Sequence, residues 1–441
     1  MSNSNQGPSV TTGQNLVPVY AVLDASGSPT GGMVANGQRP GGALTPTVAA
    51  QVPTLVSGAG IGATRRPRAP RPALYPAAVA TPPTFATSGP GGAPPITGGY
   101  TNQFVPYNGS NVKLWGCVPL YFSALGTDYY QNYAAALAGS GAPPSAVEFE
   151  YYGADLAVVF RNASASNSQF WLWTNDPVTG LWSPCSAAPL TSSAATANNK
   201  FYYRVTFASA DQRLCRLYYR YADFGGIHTA YSTTISAPAA SDRILCVIGD
   251  SYVAGALTVS PLQCVGLSLG RLLGCETFLN AVAGSGYVSA GSGVAFADST
   301  RVTSAIASGA TDFLLLGSIN DSSQSTASVT AAATSLIAAL WAGRPGARIW
   351  MSGPQGLPVA FTSTGNNVAN NTALAALAAA QSIPYIDTTG ANWFNGTGHS
   401  GATASDGNRD VLCGTDSIHP TQAGHDYFAA RLYQALMAAG W

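Results

Sequence analysis

Ser251, in the run ILCVIGDSYVAGA, and Asp416 with His419, in DSIHPTQAGH, are residue types that together make an acyl-transfer site. A serine hydroxyl is a poor nucleophile until a base takes its proton. Histidine can be that base when a carboxylate holds its other ring nitrogen, fixing the tautomer and stabilising the imidazolium. Asp416 and His419 stand three residues apart, so one turn of backbone presents both side chains on one face, and Pro420 constrains the loop directly after them. Attack on an ester would also create an oxyanion that needs donors. The side-chain amide of Asn320, in LLLGSIND, and the backbone N–H of Gly284, in NAVAGSGYVSAG, have the right chemistry. Taken alone, each piece has a structural reading too: a Ser or Asp at a strand-to-helix turn ordinarily caps the helix.

The elements that must position these groups follow from hydrophobic periodicity. After Asp242, ILCVIG, DFLLLG, RIWMSG and IPYID read as buried parallel strands, and SVTAAATSLIAALWAG, NVANNTALAALAAAQ and AGHDYFAARLYQALMAAG as helices between or after them. Such alternation specifies a three-layer α/β domain with right-handed crossovers, whose ligands gather at the carboxyl ends of the strands. Ser251 and Asn320 both fall at such ends.

The four pieces, in this order, resemble the SGNH hydrolase family, also called GDSL esterases, and the resemblance runs from Ile244 to the C-terminus. It implies an α/β/α flavodoxin-like domain and a serine esterase needing no cofactor and no metal. Ser251 matches the nucleophile, Asp416 and His419 the rest of the triad, and Gly284 and Asn320 the oxyanion hole together with the N–H of Ser251. The glycine block departs most from the family pattern, so Ser285 and Gly286 remain alternatives to Gly284. Tyr252 stands where the family usually has leucine. Substrate contacts are expected from Tyr252, from Trp393 and from His399, the last two in or beside the polar loop FNGTGHSGATASDGNRD. His425 reads as a packing or hydrogen-bonding residue of the last helix, and His228 as part of a strand.

Composition divides the rest of the 441 residues. Residues 1–99 are crowded with Gly, Pro, Ser and Thr and read as a low-complexity attachment or linker segment that cannot fold alone. Residues 100–240 carry short Tyr-, Phe-, Trp- and Val-rich runs, among them AVEFEYYG, LAVVFRN, QFWLWTND, KFYYRVTFA and RLCRLYYRYA, which predict an antiparallel β-sandwich. The exposed faces of FWLW and YYRY keep a glycan-binding role open. Residues 241–441 form the hydrolase domain. A tyrosine-rich sandwich leading into such a domain resembles carbohydrate esterases with an N-terminal jelly roll, some of them from phage tails.

Only 9% of residues are charged, formal net charge is zero, and Lys113 and Lys200 are the only lysines, which argues against nucleic acid as a partner. Seven scattered cysteines with no C-x-x-C pair argue against zinc and leave room for at most one or two bridges. No apolar run of membrane-spanning length and no signal-peptide pattern is read. The expectation is therefore a carbohydrate O-deacetylase acting on acetylated polysaccharide, extracellular or on a virion tail, with residues 1–99 contacting other tail proteins and a homo-oligomer compatible with the sequence. Rival readings are a lipid or general short-chain esterase, and a glycan-binding structural protein with a vestigial hydrolase domain.

Overall fold

The computed structural model describes residues 143–441 apart from 163–167, 177–180, 193–198, 231–232, 356–364, 397 and 399–406, together with short pieces before residue 143. Five parallel strands lie in the order Glu276–Ala281, Ile244–Gly249, Asp312–Leu316, Arg348–Ser352 and Tyr385–Ile386. This is the flavodoxin-like arrangement, in which the first strand sits between the second and the third. Successive side chains of a strand point to opposite faces. Leu245, Val247, Leu279 and Leu314 accordingly pack with the helices Val265–Leu273 and Gln422–Ala438. Ile244, Cys246, Ile248, Phe313 and Leu315 pack on the other face with Ser299–Ala307, Thr326–Gly343 and Asn367–Ala380. Both faces are buried, which is why these strands read as unbroken apolar runs.

The helices expected from sequence are present. The edge strand ETFLNA is an addition: it opens with two half-buried polar residues and lacks a continuous apolar run. Thr326–Gly343 is 18 residues long and apolar enough in composition to cross a membrane, yet Val329, Ala333, Leu336, Ile337 and Leu340 fill the sheet's core from one stripe. Ser328, Thr334 and Ser335 lie exposed on its other side.

Two long strands organise the antiparallel unit. AVEFEYYG and LAVVFRN are halves of one strand, Ser145–Asn162, and KFYYRVTFA and RLCRLYYRYA are halves of another, Lys200–Arg220, where the runs by themselves predict four separate strands. The pair bends rather than breaks. A Cβ on Gly153 would collide with the Tyr151 hydroxyl, and the register shifts between Thr206 and Asp211. The two halves close over a shared core: Val147 and Phe149 from one side meet Val158 and Phe160 from the other, with the Phe160 and Phe170 rings 4.4 Å apart. A jelly-roll connectivity would also involve the strands Asn102–Phe104, Leu120–Ala124 and Thr127–Gln131, whose side chains lie outside the described residues.

The FWLW run is not an exposed platform. Phe170, Trp171, Leu172 and Trp173 are all buried, and the two tryptophans pack into the core of the parallel-sheet unit. That contact is pinned by Arg216, which pairs with Glu148 (2.5 Å) of its own unit and with Glu276 at the edge of the parallel sheet, beneath Trp182. A buried guanidinium facing two carboxylates adds little net stability against an apolar filling, but it fixes one relative orientation.

The low-complexity segment also holds more structure than its composition suggests. Thr84–Thr87 pairs with Tyr203–Thr206, Val79 and Phe85 pack on the aromatic core, and the Val79 amide donates to Pro184 O (3.0 Å). A chain truncated to begin at residue 78 gives up the pairing of Arg65–Arg66 with Ala240–Ser241 but keeps Val79, Phe85 and the strand Thr84–Thr87, and serves as the reference. One beginning at residue 96 should lose roughly 2 kcal/mol of stability from the uncovered Val79 and Phe85. Thermal melting monitored by circular dichroism separates the two.

Candidate active site

The strand Ile244–Gly249 ends at Asp250, and Ser251 opens a one-turn helix, Ser251–Ala254. Ser251 Oγ lies 2.9 Å from His419 Nε2, and His419 Nδ1 lies 2.7 Å from Asp416 Oδ2. A carboxylate accepts, so Nδ1 carries the proton and Nε2 is left to accept from the serine hydroxyl. The other Asp416 oxygen accepts from the amides of Ile418 (2.9 Å) and His419 (3.0 Å), so the acid and the base belong to one rigid turn. That turn is closed by a Gly414 N–H bond to His419 O (2.8 Å) and a bridge between Cys413 and Pro420, and Ser417 takes left-handed backbone with φ 56°. Burial works against the Asp416 charge, but the bonds from His419 and the two amides outweigh it and hold the carboxyl below its ordinary range.

Three strand ends meet on the opposite side of Ser251. The first helical N–H, that of Ser251, has no intrahelical acceptor. In the loop after Glu276–Ala281, the Ser285 amide donates to Val282 O and the Gly286 amide to Ser289 O, whereas Gly284 N–H has no acceptor among the described residues. Gly284 has φ +73°, a conformation a side chain would strain. Gly286 serves packing instead, because a Cβ there would collide with the Asp321 carboxylate. Asp321 in turn accepts from the amides of Tyr287 (2.6 Å) and Ser289 (2.9 Å), so the residue after Asn320 holds the glycine loop in place. The structure thus separates the three candidates and leaves Gly284 as the available donor.

Asn320 reaches the same place after Asp312–Leu316, but its amide is occupied. Nδ2 donates to Asp250 Oδ2 (3.1 Å) and to Ser285 O (2.9 Å). Two hydrogens with two acceptors mean that donation to an oxyanion requires sharing one of them.

Of the expected substrate contacts, two are corrected. Tyr252 is fully buried, its ring 6.1 Å from that of His419 and its hydroxyl donating to Ile418 O, because the first turn of its helix points inward over the core. Trp393 is also buried, edge-on to Phe428 at 5.7 Å and under the Arg431 guanidinium, so it belongs to the core and not to a pocket wall. His399 lies outside the described residues. His228 is half-buried in the strand Ala222–Thr229, edge-on to Tyr202.

Sequence reasoning missed the groups behind the donors. Asp250 is fully buried and accepts from Tyr252 N (3.0 Å), Ser318 Oγ (3.2 Å), Asn320 and Gln355 Nε2 (3.0 Å); burial pushes its carboxyl up to about 6 against those bonds. Arg301 is equally deep. Its guanidinium donates to Gly249 O (2.9 Å), to Asn280 Oδ1 (2.7 Å) and O, and to Ser285 Oγ (2.9 Å), and burial lowers it to about 9, still a cation at neutral pH. Asp250 directly precedes Ser251, which is a signal in sequence; nothing local marks Arg301. Among the described residues no group of three His, Cys, Asp or Glu side chains could hold a metal, and the six described cysteines are free thiols.

His425 props the segment after the helix Ser251–Ala254. Its Nδ1 accepts from Val265 N (3.2 Å) and its Nε2 donates to Ala256 O (2.8 Å), an arrangement only the neutral ring can make. Burial lowers its pKa from 6.5 to about 4. Between those values the unfolded chain takes up the proton and the folded chain does not, so the contribution is whole above pH 6.5 and is lost as pH falls toward 4. Urea unfolding of wild type and His425→Gln should show that glutamine, which can supply the same acceptor and donor, reduces the stability lost between neutral and mildly acidic pH by roughly 2 kcal/mol.

Residues 247–427 match the GDSL-like Lipase/Acylhydrolase family. A search of curated protein sequences returns no match. Among solved structures, the chain is similar to the salicylyl-acyltransferase SsfX3 from a tetracycline biosynthetic pathway, with TM-score 0.57, 13% identity, and coverage of 77% of this chain and 98% of that one. It is also similar to a family two carbohydrate esterase from Cellvibrio japonicus, with TM-score 0.52, 11% identity, and coverage of 80% and 97%. At such identities the likeness is one of fold, and it extends well beyond the residues of the family match. The part of the chain that carries the serine, histidine and aspartate, residues 247–427, belongs to the GDSL-like lipase/acylhydrolase family and is a carboxylic ester hydrolase.

Proposed function

We propose that the protein removes O-acetyl groups from a polysaccharide, with Ser251 as nucleophile, His419 as general base and acid, and Asp416 as the carboxylate that orients it. The observation that carries the reading is the unbroken chain of hydrogen bonds from Ser251 Oγ through His419 to Asp416. Ser251 Oγ attacks the ester carbonyl carbon as His419 Nε2 takes its proton. The negative charge gathers on the former carbonyl oxygen, facing the N–H groups of Ser251 and Gly284, with Asn320 Nδ2 turning one shared hydrogen toward it. Collapse expels the sugar oxygen, which takes the proton from His419. Water then repeats the sequence on the acyl-enzyme and releases acetate. Each preorganised donor is typically worth on the order of 3 kcal/mol in the transition state.

Support for a sugar substrate comes from the hydroxyl-, amide- and glycine-rich loops AGSGYVSAGSG and SINDSSQS that carry Gly284 and Asn320, and from the fold shared with a carbohydrate esterase. A specific observation favours a second reading, an ester with a larger apolar acyl group. Leu257, Val259 and Val411, all more than half exposed, flank the turn that carries Asp416 and His419. Leu257 lies against Gly414, and the Val259 amide donates to Gln422 Oε1 (3.1 Å). An extracellular or virion-tail setting, with residues 1–99 as the attachment, belongs to the proposal and rests on the sequence.

Ser251→Ala is expected to fold normally and lose about a thousandfold or more of ester hydrolysis; a variant retaining a tenth of the rate would refute the nucleophile. Aryl acetate, butyrate and octanoate decide the substrate class. Each methylene is worth about 0.8 kcal/mol only against an apolar wall. Turnover falling with chain length, together with acetate released from acetylated polysaccharide without shortening of the glycan, supports deacetylation. Preference for octanoate supports the aliphatic rim.

A further inference from the structure

The residue after the nucleophile is a tyrosine, and the structure gives its hydroxyl one partner, the carbonyl of the residue before the base. Tyr252 is fully buried, and Tyr252 Oη donates to Ile418 O across 166 positions of sequence. Its ring is held on two sides, against the His419 imidazole and edge-on to Phe428 at 6.1 Å and 79°. The aspartate turn has internal locks, and Ser417 beside it is buried while Ile418 packs against the core. Asp416 Oδ1 caps Ile418 and His419, Gly414 N bonds His419 O, and Ser417 sits in left-handed backbone. Those bonds shape the turn without setting its distance from Ser251. The Tyr252 hydroxyl does: it joins the residue next to the nucleophile to the residue next to the base, alongside the 2.9 Å contact of Ser251 Oγ with His419 Nε2.

We propose that Tyr252 is a positioning residue that sets the separation of nucleophile and base; this rests on the reading of Ser251 and His419 as catalytic. A leucine in this position fills the core but offers no hydrogen to the Ile418 carbonyl. The carbonyl would then have to seek another donor, and the turn with His419 would shift with it. The reacting atoms are coupled only when held close, and displacement by about an ångström can cost on the order of a hundredfold in rate. Because Tyr252 is shielded from solvent and touches no substrate, its loss should act on turnover and not on substrate affinity.

The test is the split between kcat and KM in Tyr252→Phe and in Tyr252→Met, which also lacks the donor, measured with an aryl acetate beside wild type and Ser251→Ala. The expected result is a kcat lowered about ten- to a hundredfold in both variants, a KM within about twofold of wild type, and cooperative melting. Wild-type kcat in the folded Phe variant overturns the proposal. So does a rise in KM at unchanged kcat, or failure of both variants to fold, which would make the hydroxyl a stability element. If Ser251→Ala stays active, the catalytic reading itself fails; if Ser251→Ala is inactive and Tyr252→Phe is not, only the positioning role is lost.

Discussion

The site depends on one buried carboxylate. Asp250 lies between the nucleophile strand and its helix, with no solvent to stabilise its charge, and it survives there by collecting hydrogen bonds from the Tyr252 amide, Ser318, Asn320 and Gln355. A buried charge left without partners is prohibitively costly. The ends of three separate strands must therefore come to it in one arrangement. That requirement places Ser251 on the helix start and Asn320 beside it, and Ser318 and Asn320 in turn hold the glycine loop through Ser285 O. The tether works against the chemistry in one respect, since the hydrogen that Asn320 gives Asp250 is one an oxyanion would also want.

Arg301 is the complement on the far side of the same loops. Among the described residues no carboxylate contacts it, and it directs its donors to carbonyl, amide and hydroxyl oxygens of Gly249, Asn280 and Ser285. It welds the end of the first strand to the edge strand and to the glycine loop. Its positive charge also lies behind the donors that would face an oxyanion, where a low-dielectric setting preserves its field. Asp321 does the same for the glycine loop from below, through three backbone amides.

The antiparallel unit bears on this through Arg216 and the two tryptophans of FWLW. It contributes Trp171 and Trp173 to the same core cluster as Tyr252, Val253 and Ala254, so the two units share packing and do not merely adjoin. The aromatic residues that made a sugar platform plausible in sequence are consumed by that contact. Alternation by twos reports that one side of a strand is buried, and it is silent on whether a second unit covers the other side.

Periodicity and turn chemistry are local, so four of the five parallel strands, the three long helices and the turn of Asp416 and His419 could be read directly from the chain. Asp416 and His419 are three residues apart, and their pairing needs only their own backbone. The meeting of Ser251 with His419 across 168 positions, the engagement of the Ser285 and Gly286 amides within their own loop, and the withdrawal of Tyr252 and Trp393 into the core were decided by tertiary structure. Each turns on which hydrogen-bonding group another strand end already occupies, or on which side of a helix the core lies. Such facts depend on the whole sheet being closed, and no window of sequence contains them.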